Sequence, residues 1–377
     1  MNILLVSNNF PTTYLPHNGS FVQNAANEMK NQGCQVTIFA PVSWVTLLRQ
    51  GLSWLLPNTQ APNVYVPLFM SLPLTIAPSK LLFSYFNDWR MASALRRQYR
   101  KIDSSMSFDV CYCHFLPSGR ASLAAFPDLP VFLTMGESDP WLYDDIYGKN
   151  WCRDLEAFTG IFVVSKSLYD YLIRKNPNLS GKMHISGNGV DTKVFAPIDK
   201  TEARQVLGFP EKEKLAVFVG NFEERKGPYR FLAACQKTGT KAAFLGSGKQ
   251  NPKGDLVFHS GRVSRDRLKL WLAAADCFVL PSLSEGRSNA ILEALAMGTP
   301  CVVSDCPFNT EYLSNEVAAL VDPSSIDSIS SGMIQAMKKK EGLRYARAGR
   351  LLAENMSHSS RIKNMLLIIR QHIDILG

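Results

Sequence analysis

The sequence predicts an α/β chain of two doubly wound, Rossmann-like domains. Three observations predict it. Short apolar strand candidates alternate with helical patterns from end to end, and 377 residues suit two domains of ordinary size. A glycine- and asparagine-rich break, Ser186-Gly187-Asn188-Gly189-Val190-Asp191, divides the chain near its middle. Strands this apolar, separated by helices, belong in parallel sheets covered on both faces. Right-handed crossovers then wind each sheet doubly.

The elements follow in order. A first strand is expected over 2–7, a helix over 20–30 and a second strand over 35–40. Further strands fall at 109–114, 131–134, 161–164, 215–220, 241–246, 256–259, 276–280 and 300–304. The domains are expected at 1–187 and 188–357. The last segment repeats Met365, Leu366, Ile369 and Ile373 at helical spacing, so a helix over 358–377 is expected to pack on the first domain. Residues 42–78 are rich in Pro, Leu and Trp and read as an irregular excursion that shapes a binding edge or touches lipid.

Composition narrows the function classes. With 46% hydrophobic and 19% charged residues the chain is not largely disordered. Its apolar runs break before 18 positions, which argues against a transmembrane helix. Met1 to Ser7 carry no basic leader, so a cytoplasmic chain is expected. Its 8 cysteines form no C-x-x-C pair and read as reduced structural thiols.

The net charge of +9 fits an anionic partner. Lys80, Arg90, Arg96, Arg97, Arg100 and Lys101 face Asp88 alone, interleaved with Leu81, Leu82, Phe83, Tyr85, Phe86, Trp89 and Met91. That composition suits a helix on an anionic membrane surface, and also a plain solvated helix. No nucleic acid is expected as a partner.

The residues that carry chemistry lie in the second half. A strand at 277–280 runs into a loop and then a helix capped by Ser288, ended by Gly298 and Pro300. A helix beginning at the carboxyl end of a parallel strand offers free N–H groups and a positive dipole end, a seat for a diphosphate. Gly286, Arg287, Ser288, Asn289 and Ala290 line that seat. Glu293, two turns into the helix, can accept both hydroxyls of a ribose, and Glu285 can reach an attached sugar. A bare carboxylate in so apolar a run would otherwise be costly. In Gly220-Asn221-Phe222-Glu223-Glu224-Arg225-Lys226-Gly227, the adjacent cations Arg225 and Lys226 suit a departing diphosphate.

Glu285 and Glu293, seven residues between them, with Gly286, Asn289, Ala294, Gly298 and Pro300 resemble the signature of the retaining glycosyltransferases of family 4. Gly19, Gly33, residues 109–114, Asn188 to Asp191, Gly246-Ser247-Gly248 and Gly261 match more weakly. The resemblance implies GT-B architecture: two Rossmann-like domains facing a central cleft, acceptor on the first and nucleotide sugar on the second. It implies no cofactor and no metal. On it, Glu285, Arg225, Lys226 and His114 are the catalytic candidates. Gly19, Gly220, Asn221, Arg262 and Val263 join 286–290 and Glu293 on the donor side.

Three departures stand out. Asn221 replaces an arginine common in the family, which leaves the cationic work to Arg225 and Lys226. Met135-Gly136-Glu137-Ser138-Asp139 replaces a His-Gly pair, so Gly136, Glu137 and Asp139 are expected on the acceptor side. Asp305 to Asn309 replace a glycine-rich turn.

The expected activity is retaining transfer of a hexose, from a UDP-sugar in preference to GDP-mannose. The acceptor is a saccharide or lipid-linked saccharide of cell-surface polysaccharide or lipopolysaccharide synthesis, at an anionic membrane surface. A GT-B epimerase and a basic polymer-binding scaffold are the alternatives, and the scaffold would leave Glu285 and Glu293 idle. A dehydrogenase would need G-x-G-x-x-G where Ser7-Asn8-Asn9-Phe10-Pro11 stands.

Overall fold

The structure, a computed structural model, describes residues 1–15, 18–49, 62–74, 79–102, 106–136 and 140–376. They form two units: Met1–Gly187 with Ile362–Gly377, and Asn188–Arg361.

The first unit opens with β1 (Asn2–Val6), α1 (Ser20–Asn31), β2 (Gln35–Phe39), β3 (Val42–Ser43) and α2 (Trp44–Arg49). β4 (Val64–Tyr65), β5 (Leu68–Phe69), α3 (Lys80–Tyr99), β6 (Val110–His114) and α4 (Leu116–Ala125) follow. Then come β7 (Val131–Met135), α5 (Leu142–Tyr147), β8 (Gly160–Val163), α6 (Lys166–Lys175) and β9 (Met183–Ile185). Seven strands pair in parallel in the order β4-β2-β1-β6-β7-β8-β9, while β3 and β5 pair separately within the 42–78 excursion. The two-residue period of a strand fills both faces of the sheet. Leu4, Val6, Cys111 and Cys113 meet α3 and α4 on one face, and Ile3, Leu5, Val110 and Tyr112 meet α1 on the other.

The second unit holds α7 (Lys200–Leu207), β10 (Leu215–Val219), α8 (Pro228–Thr238), β11 (Lys241–Leu245), β12 (Val257–Gly261) and α9 (Arg265–Ala274). It continues through β13 (Cys277–Leu280), α10 (Asn289–Met297), β14 (Cys301–Ser304), α11 (Pro307–Thr310) and β15 (Ala319–Val321). α12 (Ile326–Ala336) and α13 (Lys339–Asn355) complete it. The parallel order is β12-β11-β10-β13-β14-β15. Val190 and Ser357 form a parallel bridge where the chain enters and leaves this unit. α14 (His358–Leu376) then adds Ile362, Met365, Leu366 and Ile369 to the α1 face of the first unit's core.

In each sheet the strand order reverses direction once, between β1 and β6 and between β10 and β13. At such a switch point the loops leaving the carboxyl ends of neighbouring strands diverge to opposite faces and open a crevice for a ligand.

Candidate active site

The switch point of the second unit gathers the charged residues. After β10 the chain passes Gly220 and Asn221, turns through a 3₁₀ segment at Glu224–Lys226, and enters α8 at Gly227 (φ +76°). A side chain at Gly227 would lie 2.8 Å from Pro281 O, so this turn packs directly against the loop leaving β13. Leu283 N donates to Arg225 O at 2.8 Å and ties the two loops together.

Consequently Lys226 Nζ pairs with Glu285 Oε1, which also accepts from Ser282 Oγ at 2.9 Å. Arg225 Nη1 donates to Ser284 O at 2.5 Å and stands 3.7 Å from Glu285 Oε2. Two cations thus flank one largely buried carboxylate beside the start of α10, and Glu223 Oε2 lies 3.7 Å from Arg225 Nη2, so two cations meet two carboxylates there. Ser288 occupies the N-cap of α10 and is buried, but its hydroxyl makes no capping hydrogen bond. The expected capping position is met without the expected side-chain cap.

Glu293 is the fifth residue of α10, nearer one turn than two from its start. It is partly buried, and none of the described residues gives it a hydrogen bond or ion pair. Burial pushes its carboxyl up to about 7, against the opposing charge of Arg265. A carboxylate with unused lone pairs in such a setting gains from hydroxyl donors.

The other residues expected on the donor side follow the carboxyl ends of β10, β11, β12 and β13. A side chain at Gly246 would overlap Gly220 O, so the ends of β10 and β11 approach closely. Arg262 Nε donates to Ser247 Oγ at 2.7 Å, with Val263 partly buried beside it. Asn221 is exposed and donates to Glu223 Oε1 at 3.1 Å. The Arg287 guanidinium faces Glu311 at 3.7 Å and lies 5.0 Å from the Tyr312 ring. Gly286, Asn289 and Ala290 lie on either side of Ser288, Asn289 exposed.

The first unit holds the others at its own switch point. Gly19 (φ +56°) begins α1, and a side chain there would overlap Asn9 O. His114 ends β6, buried among the rings of Phe21, Tyr112 and Phe115. Gly136 follows β7 and is exposed, whereas Glu137 and Asp139 lie outside the described residues. Phe115, with φ +67° and ψ 147°, holds a backbone conformation that costs a non-glycine residue about 1–3 kcal/mol. Nothing in the sequence marks it. Ser282 and Glu311, which contact the Glu285 loop, also went without a role, and Asn188, read there only as part of the domain break and a weaker match, donates to Arg287 O. Among the described residues no group of three or more His, Cys, Asp or Glu could hold a metal ion.

α3 presents a second surface. Its one acid, Asp88, faces inward, where it pairs with Arg120 (2.8 Å) and accepts from Tyr147 Oη (3.2 Å). Burial raises the Asp88 carboxyl to about 6, against the neighbouring guanidinium. The solvent face therefore carries no acid. Leu82 (68% exposed), Tyr85, Phe86 and Trp89 (56%) occupy its first half, with Trp141 and Leu142 exposed on the adjoining α5 segment. Arg96, Arg97 and Arg100 occupy the second half. No helix among the described residues is long and apolar enough to cross a membrane.

Two family models match the chain: Glycosyltransferase Family 4 over residues 19–194 and Glycosyl transferases group 1 over residues 199–350. The chain belongs to glycosyltransferase family 4. It is 26% identical over 354 residues, 88% of each chain, to a putative teichuronic acid biosynthesis glycosyltransferase, TuaC, of Bacillus subtilis. Over 178 residues it is 31% identical to an Escherichia coli UDP-Gal:alpha-D-GlcNAc-diphosphoundecaprenol alpha-1,3-galactosyltransferase, covering 42% of this chain and 46% of that one. The solved structure of Anabaena HepE in complex with UDP and glucose superposes with a TM-score of 0.69 at 13% identity, over 98% of this chain and 100% of that one. The two parallel-sheet units of this family 4 glycosyltransferase accordingly have the GT-B fold.

Proposed function

We propose that this family 4 glycosyltransferase moves a hexose, with retention, from a UDP-sugar to a saccharide or lipid-linked saccharide in cell-surface polysaccharide or lipopolysaccharide assembly. The observation that carries the reading is the meeting of Lys226, Arg225 and Glu285 at the β10/β13 switch point, beside the start of α10. Cleaving a sugar–diphosphate bond leaves negative charge on the diphosphate. Preorganised cations and helix N–H groups stabilise such developing charge, and they do so most where water is excluded. Lys226 and Arg225 supply that charge, and Glu285 holds both in place while offering its oxygens to the donor sugar. Glu293 takes the ribose hydroxyls. With two cations serving the diphosphate, the proposed chemistry needs no divalent metal.

The name of the E. coli relative, a UDP-galactose enzyme with a diphosphoundecaprenol acceptor, supports both the donor and a lipid-linked acceptor. The α3 face supports engagement at the cytoplasmic surface of an anionic membrane. Aromatic side chains there can bury at the head-group boundary while Arg96, Arg97 and Arg100 meet anionic lipid.

The test incubates the purified chain with UDP-glucose, UDP-galactose and GDP-mannose and a diphosphoundecaprenol-linked sugar, and reads the product by NMR. Transfer from a UDP-hexose with the donor's anomeric configuration kept is expected. An inverted linkage, or transfer from GDP-mannose alone, would overturn the respective part.

A further inference from the structure

We propose that Arg287 is a positioning residue which, with Glu311, Tyr312 and Asn188, fixes the course of the loop carrying Glu285. The inference rests on the reading of that loop as the donor site. Sequence position alone puts Arg287 in the loop, two residues past Glu285 and one before the N-cap of α10. Its side chain, however, is only 13% exposed and meets a carboxylate that is 12% exposed, Glu311, at 3.7 Å. The guanidinium carbon lies over the Tyr312 ring, 5.0 Å from its centroid. Its main-chain oxygen accepts from Asn188 Nδ2 at 2.9 Å, and Asn188 is the first residue of this unit. Arg287 is thus held at the side chain and at the carbonyl by two segments remote from it in sequence.

The other end of the loop is held by the stretch that supplies Glu311. Ser304 Oγ donates to Ser282 O at 2.5 Å, and Asn309 Nδ2 donates to Ser304 O at 3.0 Å. The residues from Ser304 to Tyr312 therefore grip the loop on both sides of Glu285. Arg287 and Glu311 act on the loop through the one contact between them, so loss of Arg287 and loss of Glu311 should loosen it alike. Partners in one pair are also non-additive, so losing both should be no worse than losing one. A residue that touched the donor diphosphate directly would behave otherwise, because Glu311 would not share its phenotype.

The test compares R287M, E311Q, the double variant and N188A with the native chain. It uses peptide-resolved amide hydrogen exchange over 282–288 and donor kinetics with the UDP-sugar that the native enzyme accepts. Equal acceleration of exchange, about tenfold, in R287M, E311Q and the double variant is expected, with kcat falling by one shared factor. N188A should accelerate exchange in the same peptide. Weakened UDP binding in R287M but not in E311Q, or effects that add in the double variant, would overturn the proposal. Should R287M fail to fold, E311Q and N188A read the same loop, and native exchange in both would overturn it. The exchange measurement needs no nucleotide, so a chain that binds no nucleotide sugar would refute the donor-site reading and leave the brace separately decided.

Discussion

Replacing Glu293 by glutamine separates what this carboxylate costs the fold from what it contributes to binding. Burial raises its carboxyl from 4.5 to about 7. Because the folded value is the higher, its stabilising contribution is complete below pH 4.5 and is lost as the pH climbs through 7. The rise corresponds to roughly 3 kcal/mol of cost at pH 8, reduced to about 2 kcal/mol because Glu293 keeps some solvent contact. E293Q should therefore be about 2 kcal/mol more stable than the native chain at pH 8 and match it at pH 4. Binding should run the opposite way. On the proposed reading ribose hydroxyls donate to the ionised carboxylate, so native affinity for UDP should weaken about tenfold per pH unit below 7. The glutamine variant should lose that dependence and roughly 1.5–3 kcal/mol of affinity at pH 8. Calorimetry with UDP at pH 6, 7 and 8, with denaturant melts at pH 4 and 8, measures both. A native UDP affinity that is flat from pH 6 to 8 would refute the ribose role, and a less stable E293Q at pH 8 would refute the burial argument.

Changing both Arg225 and Lys226 to alanine should reduce turnover more than ground-state donor binding, since the diphosphate gains charge as the bond breaks; near-native turnover would remove the pair from the reaction. Gly19→Ala must both adopt φ +56° and clear Asn9 O, whereas Gly239→Ala faces only φ +67° with nothing within 4 Å. Thermal melts should show the first variant more destabilised, by well over the ~1 kcal/mol expected of the second, and equal losses would contradict the course of the β1–α1 loop. In co-sedimentation with anionic vesicles, L82E/F86E/W89E and R96E/R97E/R100E should each weaken binding, and salt should weaken binding of the native chain but not the residual binding of the arginine variant. No sedimentation of the native chain at any ionic strength would end the membrane reading. Transfer should persist in excess EDTA, and its abolition would show that Arg225 and Lys226 do not suffice.

Much of the fold was legible because the strands that form both sheets' centres are continuous apolar runs, such as 215–219 and 277–280. The three-residue β15 escaped notice because it ends a five-residue apolar run, Val317 to Val321, too short for its pattern to tell strand from helix. Which strands become neighbours is set by the crossovers and not by local pattern. Lys226 and Glu285 could therefore be read only as two separate signals, 59 residues apart, until β10 and β13 stood side by side. Side-chain direction is equally non-local. Asp88 counted as an acid on a basic stretch, yet the helical period turns it to the core against Arg120. Arg287 fell beside the expected diphosphate seat, and only the folding of 304–312 over the loop reveals Glu311 in front of it.

The central claim, that the second unit seats a nucleotide sugar between Lys226, Arg225, Glu285 and Glu293, is tested most directly by ligand-induced stabilisation. UDP at a hundred times its dissociation constant should stabilise the unit by about 2.7 kcal/mol, which raises Tm by roughly 5–10 °C for a unit of this size. At the same UDP concentration the rise should fall to about half or less in E293A, which binds roughly 1.5–3 kcal/mol more weakly, and should shrink in the Arg225/Lys226 double variant. A native Tm unmoved by UDP, GDP and their sugars alike, or a shift that E293A retains in full, would contradict it.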